Sequence, residues 1–415
     1  MSSAPITRPA SASRGEADGS AASGTPMEVF RAFLKLGLTS FGGPIAHLGY
    51  FRDELVVRRK WIDEPGYADL VALCQFLPGP ASSQVGYALG LLRGGTLGGL
   101  AAWCAFTLPS ALLLVLFALG AGAFEGPVGT GLIHGLKIVA VAVVAQAVWG
   151  MARTLTPDRE RAGIALTAVL IVVFLAGSAG QVAAIVGGGI AGLWLCRGLA
   201  TPQPGNLSFP VSRQAGLLAL ALFVALLALL PVAASVSSVH GVALFDAFYR
   251  SGALVFGGGH VVLPLLQAAV VRPGWISPDG FLAGYGAAQA VPGPLFTFAA
   301  YLGAAMGPQP RGIAGAALCL TAVFLPGLLL VTGALPFWDA LRSRPMAQAA
   351  MRGANAAVVG ILAAALYSPV WTSAILNRRD FAVVAVGFVL LANWKVPPWI
   401  VVILLAIAGV ALQIA

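Results

Sequence analysis

The sequence predicts an all-α polytopic membrane protein. It is read as two inverted six-segment repeats joined by one central transmembrane helix, with re-entrant or broken helices at its Gly/Pro breaks. Three observations lead there: an apolar composition, thirteen apolar segments, and a motif series that occurs twice. Of 415 residues, 59% are hydrophobic and only 9% are charged, where soluble domains carry about a quarter. Mean hydropathy is +0.89. A soluble core could not hide that much apolar surface, because polar residues must cover its outside. A soluble enzyme, a disordered chain and a fibrous protein are thereby excluded. Long apolar runs, not ten-residue alternating strands, argue against an outer-membrane barrel.

Residues 1–27 are Ser, Ala, Gly and Pro with Arg8 and Arg14. They contain no apolar h-region, so they read as a disordered cytoplasmic tail and not as a signal peptide. Thirteen apolar segments follow, at roughly 29–50, 67–92, 95–121, 128–152, 162–178, 181–198, 214–235, 244–270, 280–305, 311–334, 346–371, 380–393 and 396–414. Most reach the about 20 residues that cross a bilayer. Segments five and twelve are short and suit tight hairpins with their successors. The predicted division is a first transporter repeat at 28–200, a linker with the central helix at 201–242, and a second repeat at 243–415.

The duplication is legible in order. FLKLGLTSFGGP at 33–44 matches FYRSGALVFGGG at 248–259. Trp61-Ile62 matches Trp275-Ile276. Gln75 and Pro78-Gly79-Pro80 match Gln289 and Pro292-Gly293-Pro294. Tyr87 matches Tyr301, Pro109 matches Pro326, and Gly135 matches Gly353. An odd number of crossings before the second copy starts it on the opposite face, the arrangement of many secondary transporters.

Segments one, two, eight and nine are interrupted by Gly42-Gly43-Pro44, Pro78-Gly79-Pro80, Gly257-Gly258-Gly259 and Pro292-Gly293-Pro294. Pro removes a helix hydrogen bond and Gly weakens the turn. Either the helices kink, as membrane helices often do, or they re-enter as hairpins. Charge favours re-entry. With thirteen crossings, 13 Lys/Arg fall inside and 7 outside; with these four segments re-entrant, 16 fall inside and 4 outside. Basic residues prefer the cytoplasmic side.

Half-helices that begin near mid-membrane, at Ile45, Ala81, His260 and Leu295, leave free N–H groups and a partial positive charge suited to an anion. Close helix packing is the competing explanation for the glycines. Neutral hydrogen-bonding groups flank the breaks: Ser82, Ser83, Gln84 and Thr297, with Gln75 and Gln289 before them. His47 and His260 follow the Gly-rich breaks as titratable or simply buried groups. Embedded carboxylates are scarce, whereas Arg31, Lys35, Lys137 and Arg250 lie within segments. Lys137, near mid-depth with no visible carboxylate, is the candidate anion ligand or gating charge. Arg31, Lys35 and Arg250 are candidate gating charges or snorkelling side chains. The four Cys lack metal-ligand spacing and read as small buried hydrophobes. No catalytic residue, metal site, cofactor site or P-loop is found.

The FGGP break, Trp61-Ile62, QFLPGP at 75–80 and their second copies VFGGGH and QAVPGP resemble the chromate ion transporter family of bacteria. The resemblance covers about residues 28–415 and both halves, as in the family's long-chain members. It implies a multi-pass protein of the bacterial plasma membrane that exports chromate by ion-motive force and confers resistance. Its partners would be chromate or a sulfate-like dianion and the lipid bilayer, with no nucleic acid; the oligomeric state stays open, a homo-oligomer included. The expected cycle rocks one half against the other. A sulfate or other oxyanion transporter, a passive anion channel and a non-transporting scaffold are the alternatives. The halves are not strict duplicates: Gly259 replaces Pro44 and Asn355 replaces Lys137, so unequal contributions are expected.

Overall fold

The computed structural model describes residues 24–120, 126–175, 177–197, 209–307, 309–338, 340 and 344–414. The tail as far as residue 23 and the linker at 198–208 lie outside the described residues. Those described form helices and turns, without a β-strand.

Local signals set the helix ends. α1 (Pro26–Thr39) starts on Thr25, whose hydroxyl accepts from the Glu28 amide, with Pro26 in its first turn. It stops because Gly42 and Gly43 take φ of 98° and 81°, a region that L side chains avoid. α2 (Gly43–Phe51) runs into a π-helical stretch, Arg52–Arg58. α3 (Glu64–Phe76) is capped by Asp63 and ends before Pro78. α4 (Ala81–Gly120) is two helices joined at Gly94 and Gly95, whose dihedrals are non-helical. α5 (Gly126–Leu155), α6 (Arg159–Phe174), α7 (Ser178–Leu195) and α8 (Arg213–Val236) complete the first part. α9 (His240–Ala253) breaks through Gly257 and Gly258, and α10 (Val262–Val270) follows a short 3₁₀ turn. α11 (Pro278–Ala288) breaks at Pro292–Pro294, and another 3₁₀ turn leads into α12 (Phe298–Ala305). Then come α13 (Gly312–Ala334), α14 (Pro345–Ala365), α15 (Arg378–Ala392) and α16 (Pro398–Ile414).

Among the described residues, five helical stretches are long and apolar enough to cross a membrane: Ala81–Gly120, Gly126–Leu155, Arg213–Val236, Gly312–Phe337 and Pro345–Ala374. The 14 residues of α1 and the 9 of α2 are too short to span alone. At 1.5 Å per residue α1 reaches about 21 Å, against about 30 Å of hydrocarbon.

Contacts gather several loops at one end. There the Gly24 amide donates to the Arg93 carbonyl at 2.8 Å, and Arg93 pairs with Glu28 at 3.1 Å. Trp61 lies between the Arg59 and Arg93 guanidinium groups, 5.7 and 5.6 Å from its centroid. There, too, Glu54 binds Lys35, Arg58 and Arg59. Burial pushes its carboxyl upward, but the Arg59 and Lys35 hydrogen bonds outweigh this and hold it below the usual range. Elsewhere Lys137 pairs with Asp279 and His134 with Asp380. The chain between residues 51 and 64 therefore shares an end with the start of α1, although α1 and α2 separate the two in sequence.

Two apolar cores cross the sequence division. One joins residues of α1–α4 to the end of α13, including Val331 and Trp338; the other joins α9–α14 to α5. α5 packs on α11, α15 and α16, while α14 packs on α6 and α7. Glycines permit both close approaches: a Cβ on Gly135 would sit 2.6 Å from the Leu405 carbonyl oxygen, and one on Gly353 2.1 Å from that of Gly188. Each sequence half thus encloses elements of the other. The cysteines are free; Cys74, Cys196 and Cys319 are buried and Cys104 is partly so.

Candidate functional site

The four breaks meet. The Gly79 amide donates to the Val255 carbonyl at 2.7 Å, and the Gly293 amide donates to the Ser40 carbonyl at 2.8 Å. Gly79 and Gly293 are repeat mates, as are Ser40 and Val255, so these are the same bond made twice with the halves exchanged. Each Pro-Gly-Pro is also seated on the other half's proline-bearing helix. A Cβ on Gly79 would lie 3.1 Å from the Gly327 Cα, and one on Gly293 2.9 Å from the Ser110 hydroxyl. Gly259 faces Pro44, its Cβ position being 3.5 Å from the proline Cγ.

The Gly79 and Gly293 N–H groups already have acceptors, so they are not free for an anion. The first turn of α4 retains its own. Within α4 the Gln84 amide is bonded to the Pro80 carbonyl, which leaves Ala81, Ser82 and Ser83 as first-turn donors without intrahelical acceptors.

The polar lining is unequal between the halves. In the first, Ser40, His47, Ser82, Ser83, Gln84, Thr107 and Ser110 are all at most 3% exposed. The Gln84 amide nitrogen donates to the Pro78 and Gly327 carbonyls, both at 3.0 Å, which secures the break. Among the described residues the Ser40, Ser83 and Thr107 hydroxyls, the Gln84 Oε1 and the His47 Nε2 have no hydrogen-bond partner. In the second half the Thr297 hydroxyl, repeat mate of Ser83, donates to the Pro294 carbonyl at 2.8 Å. His260 shares a hydrogen bond with the Tyr285 hydroxyl at 2.7 Å. Thr297 and the His260 Nδ1 are thus satisfied, whereas Ser40, Ser83 and Thr107 are open; the Gln289 side-chain nitrogen before the second break is open as well. Buried polar atoms rarely stay unpaired, so the open set beside the breaks makes these groups the candidate site. Sequence reading missed Ser40, Thr107 and Ser110, since nothing local separates them from ordinary helix residues.

The cations go elsewhere. Lys137 is 7% exposed, but its ammonium lies 2.8 Å from the Asp279 carboxylate, whose side chain is 64% exposed. The expectation of an ammonium without a carboxylate is therefore corrected: Asp279 stands far off in sequence, at the first turn of α11. Lys35 reaches Glu54 at 3.2 Å and Arg250 reaches Asp246 at 2.5 Å, while Arg31 is exposed. Among the described residues none of the four makes an ion pair with the breaks. With Asp279 so exposed, the pair contributes at most about 1 kcal/mol. Lys137→Ala and Asp279→Ala are accordingly expected to weaken transport by the same modest factor, and the double variant no further. A large loss confined to Lys137→Ala in vesicle flux would reinstate Lys137 as a ligand.

Comparison with known proteins agrees with this duplicated frame. The chromate transporter family matches the chain twice, at residues 27–193 and 242–410. A chromate transport protein of Pseudomonas aeruginosa is 30% identical over 396 residues, which cover 92% of this chain and 91% of that protein. A probable chromate transport protein of Synechococcus elongatus is 29% identical over 390 residues, covering 91% and 93%. An uncharacterized transporter of Methanocaldococcus jannaschii is 23% identical over 394 residues, covering 91% and 88%. No solved structure matches. Matched by the family across both repeats, the chain belongs to the chromate transporters.

Proposed function

We propose that this protein is a secondary active transporter that moves chromate outward across the bacterial plasma membrane. The observation that carries this reading is the crossed Gly79–Val255 and Gly293–Ser40 pair, beside which the first half leaves buried hydroxyls open. The anion is held by first-turn N–H groups of α4 together with the Ser83, Ser40 and Thr107 hydroxyls. The second-half residues Gly257, Gly258, Gly259, His260, Pro292, Gly293, Pro294 and Thr297 shape the opposing wall, as Gly42, Gly43, Pro44, Pro78 and Pro80 shape this one. Sulfate, of similar size and charge, competes for the same site.

In the proposed topology the repeats are inverted and α1–α2, α3 with the start of α4, α9–α10 and α11–α12 are re-entrant. The shared end of Gly24, Trp61 and Arg93 supports it, as does the 16-to-4 charge split. A lone Cys at Arg58, in a background without the native cysteines, is expected to resist impermeant thiol reagents applied to intact cells. Ready labelling there would return the chain to thirteen crossings.

Function is tested with labelled chromate and everted vesicles, with sulfate as competitor and with or without an uncoupler. The expected result is accumulation that sulfate reduces and the uncoupler abolishes. Flux that only equilibrates would make the protein a channel, and no flux would make it a scaffold.

A further inference from the structure

A dianion taken from water into a buried site needs compensating charge, and neutral hydroxyls with helix ends supply only part of it. Every embedded cation singled out by the sequence is bound to a carboxylate or exposed outside the breaks. We propose that the missing charge is a proton taken up by His47, so that each anion enters the site together with one proton. This rests on the oxyanion site proposed above.

The geometry singles out this imidazole. His47 stands on α2, is 1% exposed, and packs edge-on against Phe106 at 5.3 Å between centroids. Its Nδ1 is 3.4 Å from the Ser82 hydroxyl. The ring reaches the backbone of Ser40, the residue whose carbonyl takes the Gly293 amide. It therefore sits where a first-half break meets the second-half Pro-Gly-Pro. Its Nε2 closes no hydrogen bond among the described residues. When the Ser82 hydroxyl donates to Nδ1, the Nε2–H is a buried donor that reaches no acceptor with hydrogen-bond geometry, the Ser40 backbone being a polar neighbour of the ring. When Nδ1 donates, Nε2 is a bare acceptor for a proton. Protonation turns both nitrogens into donors, and an oxyanion beside Nε2 supplies the missing acceptor.

Charged and titratable groups on the neighbouring elements are spoken for. Glu54 holds Lys35, Arg58 and Arg59; Arg52 pairs with Glu64 at 2.5 Å and lies 3.9 Å from Asp53. The Tyr67 hydroxyl donates to the Leu48 carbonyl at 2.6 Å. Asp69 accepts from Trp338 and Arg93 pairs with Glu28. On α1 Arg31 is exposed, and Cys74 of α3 is a buried thiol. No carboxylate contacts the ring among the described residues, so an arriving anion is its natural counter-charge. His260 differs, because Tyr285 already engages its Nδ1.

The sign follows from linkage. An anion stabilises the imidazolium, so binding takes up a proton and affinity falls as pH rises above the free imidazole's own titration. The fall approaches about tenfold per pH unit for one coupled proton. Sulfate stays a dianion across this range, so any proton taken up with it belongs to the protein. The test is calorimetric titration of the purified full chain with sulfate, and in parallel with chromate, in buffers of different ionisation enthalpy. Wild type is expected to take up close to one proton with sulfate. His47→Asn keeps a polar group for Ser82 and should abolish that uptake and flatten the pH dependence, whereas His240→Gln should change neither. Sulfate binding by wild type without proton uptake overturns the proposal, whatever becomes of the variant. Uptake that survives His47→Asn, or is lost only in His260→Gln, also overturns it. If neither anion binds wild type, the oxyanion site falls first and the proposal with it.

Discussion

Gly79→Ala and Gly293→Ala are each expected to lower chromate flux at least about tenfold, the equivalent of about 1.4 kcal/mol. Both glycines hold left-handed backbone, φ 125° and 92°, where an L side chain is strained by about 1–3 kcal/mol. Both would also push a Cβ into the opposing half. From Gly79 it meets the Gln84 amide nitrogen at 2.9 Å and the Gly327 Cα at 3.1 Å; from Gly293 it meets the Ser110 hydroxyl at 2.9 Å and the Phe106 carbonyl oxygen at 3.1 Å. Gly79→Ala should be the more harmful, because Gln84 ties the break to the Pro78 and Gly327 carbonyls.

The proline pairs separate site from packing. Pro78→Ala/Pro80→Ala and Pro292→Ala/Pro294→Ala let a helix continue, which is locally favourable by up to about 3 kcal/mol for each interior Pro removed. The Gly79 or Gly293 amide is then drawn into the helix and leaves its partner across the break. Membrane abundance should hold while flux falls, more in the first-half pair. Abundance and flux falling together would assign the breaks to packing alone, and an equal or larger second-half effect would refute the unequal halves.

Gly353→Ala is expected to remove most of the folded protein. Its Cβ would lie 2.1 Å from the Gly188 carbonyl oxygen and 2.6 Å from the Gly192 Cα. Those atoms are backbone, so α7 and α14 must separate. Overpacking of this kind costs about 1–3 kcal/mol or more, and these two helices share one of the largest interfaces in the fold. Gly189→Ala, on the same face region of α7 but 3.7 Å from its nearest atom, should be harmless. Thermal unfolding followed by gel filtration of the detergent-solubilised protein compares the two. Equal melting would show that the exchanged packing of the halves does not limit stability.

The sequence by itself determined the class, the duplication and the break positions. Those depend on short-range physics: apolar runs need lipid, Pro and Gly interrupt helices, and a repeated motif keeps its spacing. Composition also favoured the cytoplasmic side for Trp61 and the basic residues around it, because Lys and Arg report their side of the membrane. Only the tertiary structure decided which break touches which. The Gly79–Val255 and Gly293–Ser40 bonds join residues far apart in the chain, and no local pattern encodes a partner at that separation. For the same reason Lys137 looked unpaired until α11 brought Asp279 to it, and Thr297 looked open until its own turn took its hydroxyl. His47 stood beside a break in the sequence, but whether its Nε2 was satisfied depended on α4 folding back to lay Ser82 and Phe106 on the ring. Helix breaks are written in one residue type at one place, whereas a site is a difference between satisfied and unsatisfied groups, fixed only once every neighbour is in position.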